Sequence, residues 1–384
     1  MGRFADALRA PGLGAIAEVK RRSPSAGDLR PDADPVELTA SFERSGAAAV
    51  SVLVDERFGG SVDDLRAARA SAGLPLLAKG FFREPKTLDE LEAAGADAVL
   101  LLLRDLDDRA ARRLSAHARA LGLDVLVEAH DEAEVDRAVA LDADIIGVNA
   151  RDLSSFRIDR RAQLELVARA PRDRIVIAES GIETRAHAAS AELAGAGAIL
   201  VGSTLMRAND PGKRLADLLR RPLVKICGLT REEDVEAAAE AGADLAGFVL
   251  AESPRRAERA LPTPDSLLSV GVFVGEPNDD AGTDLVQLYP AENGHRAREG
   301  SLLRNGEPVA RVLDLPWLED DGSHWEQAAA AEGRIVLAGG LGPENVREAI
   351  EAVQPWCVDA SRSLEASPGI KDHERVRAFV EAAR

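Results

Sequence analysis

Short apolar runs alternate with longer amphipathic stretches along the first 221 residues. The near-continuous apolarity of each run is typical of parallel strands that are covered on both faces. The stretches between the runs, such as 61–71 and 106–121, have the pattern of helices. Eight such strand–helix units in about 220 residues predict a closed (β/α)8 barrel rather than an open sheet. The predicted strands are 15–20, 48–54, 74–79, 97–103, 123–128, 144–149, 174–179 and 197–201.

The same alternation restarts near residue 222, so we predict an α/β protein of two tandem (β/α)8 TIM barrels, residues 1–221 and 222–384. The second half is short for this fold, which usually needs about 200 residues or more. We recognise only seven strand-like runs in it, and we therefore expect one βα unit to be missing or degraded. These runs are 222–227, 244–250, 269–274, 284–288, 308–313, 334–338 and 356–359.

Composition excludes several classes of protein. The formal net charge of −18, from 48 basic and 66 acidic residues, argues against nucleic acid or an anionic membrane as the main partner. Two cysteines, Cys227 and Cys357, are too few for a disulfide framework, and the six histidines lack metal-ligand spacing. No run is long enough to span a membrane, and no targeting segment is recognisable. We expect a soluble cytoplasmic protein with no metal and no cofactor.

Charged and polar side chains follow the strands of the first barrel. The active site of this fold lies at the C-terminal ends of the strands, so these side chains should meet at one mouth. A single lysine–carboxylate pair would most simply be structural, whereas two lysines and three acids favour an active site. Ser-Gly and Gly-Ser turns end the last two strands, where this fold commonly binds phosphate. The residues are Glu18, Lys20, Lys79, Glu128, Asn149, Glu179, Ser180, Gly181, Gly202 and Ser203.

The motifs around these residues resemble those of indole-3-glycerol phosphate synthases. This resemblance implies that a carboxyphenylamino-deoxyribulose phosphate closes its ring, loses CO2 and then loses water. The motifs cover nearly the whole first half, in order: IAEVKRRSPS (16–25), LLAKGF (76–81), VLVEAHDEAE (125–134), IIGVNARDL (145–153), IAESGI (177–182) and ILVGSTLM (199–206).

The resemblance also implies roles for individual residues. Lys79 would protonate the ketone oxygen, Glu128 would handle the proton of the dehydration, and Lys20 would grip the substrate carboxylate and assist acid catalysis. A lysine desolvated beside acids is a good proton donor, and a partner glutamate can shuttle the second proton. Residues implied to orient hydroxyls and side chains are Glu18, Asn149, Arg151 and Glu179, and those implied to line the carboxylate and phosphate pockets are Ser23, Ser180, Gly181, Gly202 and Ser203.

Two features of the first half depart from the family pattern. Gly80 follows Lys79 where the family usually has Asp. The helical extension that the family carries before its first strand is largely missing from this sequence. We therefore expect looser binding of the aromatic end of the substrate.

The second half resembles phosphoribosylanthranilate isomerases through VKICGLTREEDVEAAAEAGADLAGFV (224–249), SPRR (253–256), VGVFVGEP (270–277), VQL (286–288), LAGGLGPENV (337–346) and PGIKDHERV (368–376). That activity is an Amadori rearrangement, which needs a base and an acid on opposite sides of the sugar. The resemblance implies Cys227 as the base and Asp314 as the acid. It also implies that substrate phosphate and carboxylate are held by Arg255, Gly339, Gly340 and Ser361.

Departures are heavier in this half. Tyr289 stands where the family has His in VQLHG, and Ser363 stands where the phosphate loop DVSSGVE has Gly. The run 308–313 is either the fifth or the sixth strand of its barrel. If it is the fifth, Asp314 is not the family's acid.

The prediction that follows is a fused enzyme for two successive steps of tryptophan biosynthesis, in which the isomerase product feeds the synthase. Its substrates would be small phosphorylated anthranilate sugars. We expect a monomer, and the resemblance suggests a transient contact with tryptophan synthase. The first alternative is a synthase whose C-terminal barrel is only structural or binds a phosphosugar. A wholly non-catalytic binder would not need Lys20, Lys79 and Glu128, and histidine-pathway isomerases use paired aspartates instead.

Overall fold

The computed structural model describes residues 2–23, 27–151, 157–276, 282–292, 295–296, 299–314 and 323–384. The chain divides into two units, Met1–Leu219 and Arg220–Arg384. Parts of three sequence motifs, at 24–25, 152–153 and 277, lie outside the described residues. Within the described residues, no helix is long and apolar enough to cross a bilayer.

The first unit is a closed barrel of eight parallel strands, as predicted. Each strand pairs with its neighbour in the chain, and the last closes the barrel on the first through pairs such as Ile16 with Leu200. The strands are β1 (Gly14–Val19), β2 (Ala49–Leu53), β3 (Leu76–Lys79), β4 (Ala98–Leu102), β5 (Asp124–Ala129), β6 (Ile145–Asn149), β7 (Ile175–Glu179) and β8 (Ala198–Val201).

Helices surround this barrel, and most of them begin at a polar N-cap. The side chains of Asp34, Ser61, Asp107, Asp131 and Thr184 each accept a backbone N–H from the first turn that follows. The helices are α1 (Arg3–Leu8), α2 (Pro35–Arg44), α3 (Val62–Ser71), α4 (Pro85–Ala93), α5 (Asp108–Ala120), α6 (Glu132–Ala140), α7 (Arg160–Arg169), α8 (Arg185–Ala194), α9 (Ser203–Met206) and α10 (Pro211–Leu219).

Helix α1 closes the N-terminal end of the first barrel. The carboxylate of Asp124, at the start of β5, accepts the backbone N–H groups of Gly2 and Ala5 at 2.8 and 2.9 Å. This arrangement packs Phe4 and Leu8 into the apolar interior of the barrel. Burying a side chain of that size contributes about 1.5–3 kcal/mol. The polar mouth of the barrel therefore lies at the opposite, C-terminal end of the strands.

The second unit is also a closed barrel, and it has eight strands rather than the seven we recognised. The additional strand runs antiparallel to both of its neighbours, whereas the other pairs are parallel. The strands are β9 (Leu223–Cys227), β10 (Leu245–Val249), β11 (Leu268–Val274), β12 (Leu285–Tyr289), β13 (Glu299–Arg304), β14 (Glu307–Asp314), β15 (Ile335–Ala338) and β16 (Cys357–Ala360).

Strand β13 is the one that the sequence analysis missed. It joins β14 through Asn305 and Gly306, whose φ angles of 50° and 80° are left-handed, as a two-residue hairpin of type I′ requires. Among the described residues, no helix lies between β12 and β13 or between β13 and β14. Strand β14 is consequently the sixth of the barrel, and Asp314 lies at its C-terminal end.

The outer layer of the second barrel is correspondingly thinner. Its described helices pack on the strands through a core that includes Val224, Phe248, Leu337 and Phe379. These helices are α11 (Glu232–Ala241), α12 (Ser323–Ala329), α13 (Val346–Val353) and α14 (His373–Ala382).

We predict that Gly306→Ala destabilises the second unit by about 1 kcal/mol, because alanine is strained at a positive φ. The control is Asn305→Gly, which suits the same left-handed turn and should change the unfolding free energy by less than about 0.5 kcal/mol. All three tryptophans, Trp317, Trp325 and Trp356, belong to the second unit, so urea unfolding followed by tryptophan fluorescence reports on it selectively. An unfolding free energy of Gly306→Ala equal to that of wild type would contradict the left-handed turn at Asn305 and Gly306.

Candidate active sites

A cavity of about 400 Å³ occupies the C-terminal mouth of the first barrel. Every residue that the sequence analysis proposed for this barrel lines it, from strands and loops far apart in the chain. They are Glu18, Lys20, Ser23, Lys79, Glu128, Asn149, Arg151, Glu179, Ser180, Gly181, Gly202 and Ser203.

Lys79 lies at the centre of this cavity among three carboxylates. Its Nζ is 2.6 Å from Glu179 Oε2, 3.4 Å from Glu18 Oε2 and 3.7 Å from Glu128 Oε2. Lys20 Nζ contacts the other oxygen of Glu18 at 2.7 Å. The Lys79 side chain is 13 % exposed and that of Glu179 is fully buried. Removing either lysine would leave buried carboxylates without full compensation, which is costly.

Burial and neighbouring charges shift the pKa values of Glu179, Glu128 and Lys79 in different directions. Burial raises the pKa of Glu179 to about 7, and the nearby Glu128 adds to the effect against the pull of Lys79. Burial also acts on Glu128, but the charges of Lys79 and His130 outweigh it and lower the pKa of Glu128 to about 2. The three carboxylates likewise overcome the burial of Lys79 and raise its pKa.

The cavity therefore holds a charged ammonium, a carboxyl group that titrates near neutral pH and an ionised carboxylate side by side. Lys79 is a charged N–H donor, and Glu179 holds a proton over part of the physiological range. Glu128 is ionised and accepts a hydrogen bond from Asn149 Nδ2 at 2.9 Å. Titratable groups pushed apart in this way are typical of acid–base active sites.

The loops after β7 and β8 form the opposite wall of the cavity. Ser180 and Gly181 have left-handed φ angles of 67° and 72°, a conformation that is uncommon for a serine and frequent at functional sites. At Gly202 an added Cβ would overlap a carboxylate oxygen of Glu18 and lie 3.0 Å from Lys20 Nζ. Glycine is therefore needed there for the backbone to approach the charged cluster.

Sequence reasoning missed an aromatic wall of the same cavity. Phe58 and Phe81 both line it, and their rings are stacked with centroids 6.3 Å apart. Arg57 lies over the Phe81 ring at 4.0 Å, a cation–π contact. The signal was available, because aromatic residues make up only 3 % of the chain and Phe81 follows Lys79 by two positions.

The structure also explains the glycine after the central lysine. A Cβ at Gly80 would come within 2.9 Å of the Phe82 ring and 3.3 Å of Val54. An aspartate at this position would require Phe82 to move.

The second barrel has a larger cavity, of about 960 Å³, at the C-terminal ends of its strands. All residues proposed for this barrel line it, namely Cys227, Arg255, Asp314, Gly339, Gly340 and Ser361. Arg362, which sequence reasoning did not single out, lines it as well.

A buried polar chain crosses the interior of this barrel towards Asp314. Lys225 Nζ donates to Asp359 Oδ2 at 2.8 Å and to Gln287 Oε1 at 2.7 Å. Gln287 Nε2 donates to the hydroxyl of Tyr289 at 2.8 Å, and that hydroxyl donates to Asp314 Oδ2 at 3.3 Å. The tyrosine that departs from the family pattern is thus the direct hydrogen-bond partner of the proposed acid.

Arg255 is held by an acidic residue of the second barrel. Its Nε and Nη2 each lie 2.8 Å from the carboxylate of Glu365, which also contacts Lys371 Nζ at 3.1 Å. The hydroxyl of Ser363 donates to the carbonyl of Leu341, which joins the loops that follow β15 and β16. Among the described residues, no three His, Cys, Asp or Glu side chains are placed to hold a metal ion.

We predict that one glutamate carboxyl group titrates near pH 7 and that its signal disappears in Glu179→Gln. The folded pKa lies above the ordinary value of 4.5, so ionising Glu179 costs stability, and this cost grows as the pH rises from about 4.5 to about 7. Carbon-13 NMR of glutamate-labelled protein measures the titration directly. The control, Glu165→Gln on the surface of α7, should keep the signal. A protein in which no carboxyl group titrates above pH 6 would contradict the charge balance described here.

Two family models match separate parts of the chain. The family model for indole-3-glycerol phosphate synthase matches residues 2–218, and that for N-(5'phosphoribosyl)anthranilate (PRA) isomerase matches residues 321–382. Indole-3-glycerol phosphate synthase 2 of Streptomyces coelicolor is 48 % identical over 217 residues, which cover 56 % of this chain and 84 % of that protein. The corresponding enzyme of a Nocardioides species is 50 % identical over 205 residues, or 53 % of this chain and 79 % of its own length.

Other matches extend into the second barrel. A multifunctional tryptophan biosynthesis protein of Phycomyces blakesleeanus is 31 % identical over 96 % of this chain and 62 % of its own length. Phosphoribosyl anthranilate isomerase from Thermotoga maritima, whose crystal structure is known, is 28 % identical in sequence. The match covers 42 % of this chain and 98 % of that chain, with a TM-score of 0.34. The chain belongs to the indole-3-glycerol phosphate synthase family and carries, in the same polypeptide, a C-terminal domain of the phosphoribosylanthranilate isomerase family.

Proposed function

We propose that the first barrel, residues 1–221, converts 1-(2-carboxyphenylamino)-1-deoxyribulose 5-phosphate to indole-3-glycerol phosphate. The observation that carries this proposal is the position of Lys79 among three buried carboxylates at the mouth of the barrel. Ring closure, decarboxylation and dehydration need an acid and a base on either side of one substrate, and the cluster provides both.

The geometry supports a sequence of proton transfers. Lys79 donates a proton to the ketone oxygen while the aromatic carbon attacks the carbonyl carbon and the new ring closes. The carboxylate then leaves as CO2, and its bonding electrons restore the ring. In the dehydration, a lysine of the cluster protonates the departing hydroxyl, and ionised Glu128 takes up the proton released from the ring. Glu179 can reprotonate Lys79 across 2.6 Å.

The same cavity can hold the rest of the substrate. The turns at Ser180 and Gly202 present backbone N–H groups that suit the phosphate, with the positive charge of Arg151 nearby. We assign Lys20 and Ser23, which line the same cavity, to the substrate carboxylate. Phe81 offers a flat apolar face that suits the anthranilate ring.

For this site we predict that Lys79→Met lowers kcat for the carboxyphenylamino sugar phosphate by about 10³-fold, since a general acid contributes about 10²–10⁴-fold. The matched control is Lys86→Met, an exposed lysine at the start of α4, which should keep wild-type turnover. Indole formation followed by ultraviolet absorbance measures both, and circular dichroism verifies that the variants fold. Turnover of Lys79→Met within fivefold of wild type would remove the lysine from the mechanism.

We also propose that the second barrel, residues 222–384, isomerises N-(5-phosphoribosyl)anthranilate to the substrate of the first. Cys227 at the end of β9 and Asp314 at the end of β14 line one cavity, which suits a base and an acid acting on a sugar between them. The position of β14 as the sixth strand supports Asp314 as the acid. Arg255, Ser361 and the Gly339–Gly340 turn would hold the charged ends of this substrate.

For the second site we predict that Cys227→Ala lowers isomerisation by about 10²–10⁴-fold, because it removes the base. Conversion of the carboxyphenylamino sugar phosphate by the same protein should be unchanged, and this provides an internal control. Cys357→Ala, at the other buried cysteine, is the matched control and should keep both activities. Unchanged isomerisation in Cys227→Ala would exclude the thiol as the base. If the wild-type chain converts the carboxyphenylamino sugar phosphate but does not isomerise N-(5-phosphoribosyl)anthranilate, the C-terminal barrel is a structural or phosphosugar-binding module.

We further propose that the protein acts as a monomer in the cytoplasm. A net charge of −18 disfavours self-association at low ionic strength, which supports the monomer. The product could pass to tryptophan synthase through a transient contact, because that enzyme uses indole-3-glycerol phosphate. Sedimentation velocity of the full chain, alone and mixed with tryptophan synthase, tests both statements.

A further inference from the structure

His130 is a buried titratable residue that the proposed mechanism does not use. It follows β5 and lies two positions after Glu128, and its side chain is 3 % exposed. Its Nε2 is 3.2 Å from Glu128 Oε1, and its Nδ1 is 3.1 Å from Glu134 Oε2. The imidazole is therefore placed between two carboxylates, one of which is the proposed base.

Two carboxylates within 3.2 Å of the ring nitrogens favour the charged form of the ring, because nearby negative charge stabilises the imidazolium over the neutral imidazole. The pKa agrees in direction, because Glu128 and Glu134 outweigh burial and raise the pKa of His130 to about 9.

Glu134 fixes the position of the ring from the first turn of α6. Its Oε2 accepts the backbone N–H of His130 at 2.8 Å as well as contacting Nδ1, so it holds both the backbone and the side chain. The helix start is itself fixed, because the N-cap Asp131 accepts the N–H of Glu134 at 2.8 Å. Arg104, after β4, lies 3.8 Å from the other oxygen of Glu134. Glu134 therefore holds His130 in place at the junction between β5 and α6.

The contact with Glu128 is of a different kind. Nε2 has no aligned hydrogen-bond partner among the described residues, so its 3.2 Å contact with Glu128 is an ion pair. The remaining neighbours of the Glu128 carboxylate are Lys79 and the amide of Asn149. Loss of the His130 charge would therefore leave Lys79 as the one close cation for this carboxylate among the described residues.

We propose that His130, held as an imidazolium by Glu134, is a positioning residue that keeps Glu128 ionised and oriented as the base of the dehydration. It contacts no reacting atom and acts only through Glu128. The proposal rests on the proposed synthase activity. It adds a second cation beside the base, at the carboxylate oxygen other than the one that Lys79 contacts.

The charged groups around His130 define the expected pH dependence. Glu128 faces it from β5, Glu134 from α6, and Arg104 from the turn after β4. Removing the imidazolium should raise the pKa of Glu128, so the acidic limb of the kcat/KM profile should move to higher pH.

Two variants test the proposal. His130→Asn removes the cation and keeps a short polar group facing Glu134, and Glu134→Gln keeps the histidine but removes its anchoring charge. For each we expect kcat to fall about 10-fold or more with KM within about threefold, and the acidic limb to shift upward by about one pH unit. The matched control is His117→Asn, which removes a surface hydrogen bond to Asp89 and should leave kcat and the profile unchanged.

Nitrogen-15 NMR of the wild-type imidazoles supplies a readout independent of turnover. The His130 signals are assigned by their loss in His130→Asn. We expect both ring nitrogens to remain protonated at pH 7.5 in wild type. In Glu134→Gln, the ring should deprotonate at a lower pH than it does in wild type. A ring that titrates near pH 6.5 in wild type, or variants with an unshifted profile and kcat within twofold of wild type, would overturn the proposal. A wild-type chain that does not turn over the carboxyphenylamino sugar phosphate would instead overturn the synthase assignment, and the role of His130 with it.

Discussion

The buried contact between Lys79 and its carboxylates is the constraint on which the first barrel depends. Three acids and two lysines meet at one mouth with side chains that are at most 15 % exposed, so their charges must balance through contacts of 2.6–3.7 Å. Burial, together with the nearby negative charge of Glu128, leaves Glu179 with a raised pKa despite its contact with Lys79. Charged groups buried to this degree stabilise a fold poorly, which is why their convergence favours catalysis over structure.

Neighbouring features of the barrel serve this cluster. Helix α1 fills the opposite end with Phe4 and Leu8, so the polar residues are confined to the C-terminal mouth. Gly202 gives the backbone of the last loop access to Glu18 and Lys20. The junction between β5 and α6 places a second buried cation, His130, beside Glu128. These residues come from distant parts of the sequence, and the closed barrel brings them to one place.

The second barrel shows that this fold needs eight strands more strictly than it needs eight helices. A hairpin through Asn305 and Gly306 supplies one strand in the reverse direction, and the ring of hydrogen bonds still closes. The reversal leaves Asp314 at the C-terminal end of its strand, beside the cavity that Cys227 also lines. Tyr289 then connects Asp314 to the buried chain that begins at Lys225.

Sequence patterns predicted the strands that are continuous apolar runs, and the candidate residues proposed at their ends line the two cavities. The patterns failed at β13, where Leu302 and Leu303 are the only large apolar residues and the alternation is lost, although the Asn-Gly pair is a strong hairpin signal. The sequence could have pointed to Phe81, which follows Lys79 by two positions, but not to its stacking on Phe58, because the stack depends on how two separate loops meet. His130 was passed over because its partners are carboxylates rather than metal ligands.

The most direct measurement supplies the purified full chain with 1-(2-carboxyphenylamino)-1-deoxyribulose 5-phosphate in single-turnover amounts and identifies the products by mass. If the Lys79 cluster carries out the proton transfers described here, indole-3-glycerol phosphate and CO2 should form in equal amounts. Recovery of the unchanged sugar phosphate from a folded protein would contradict the account.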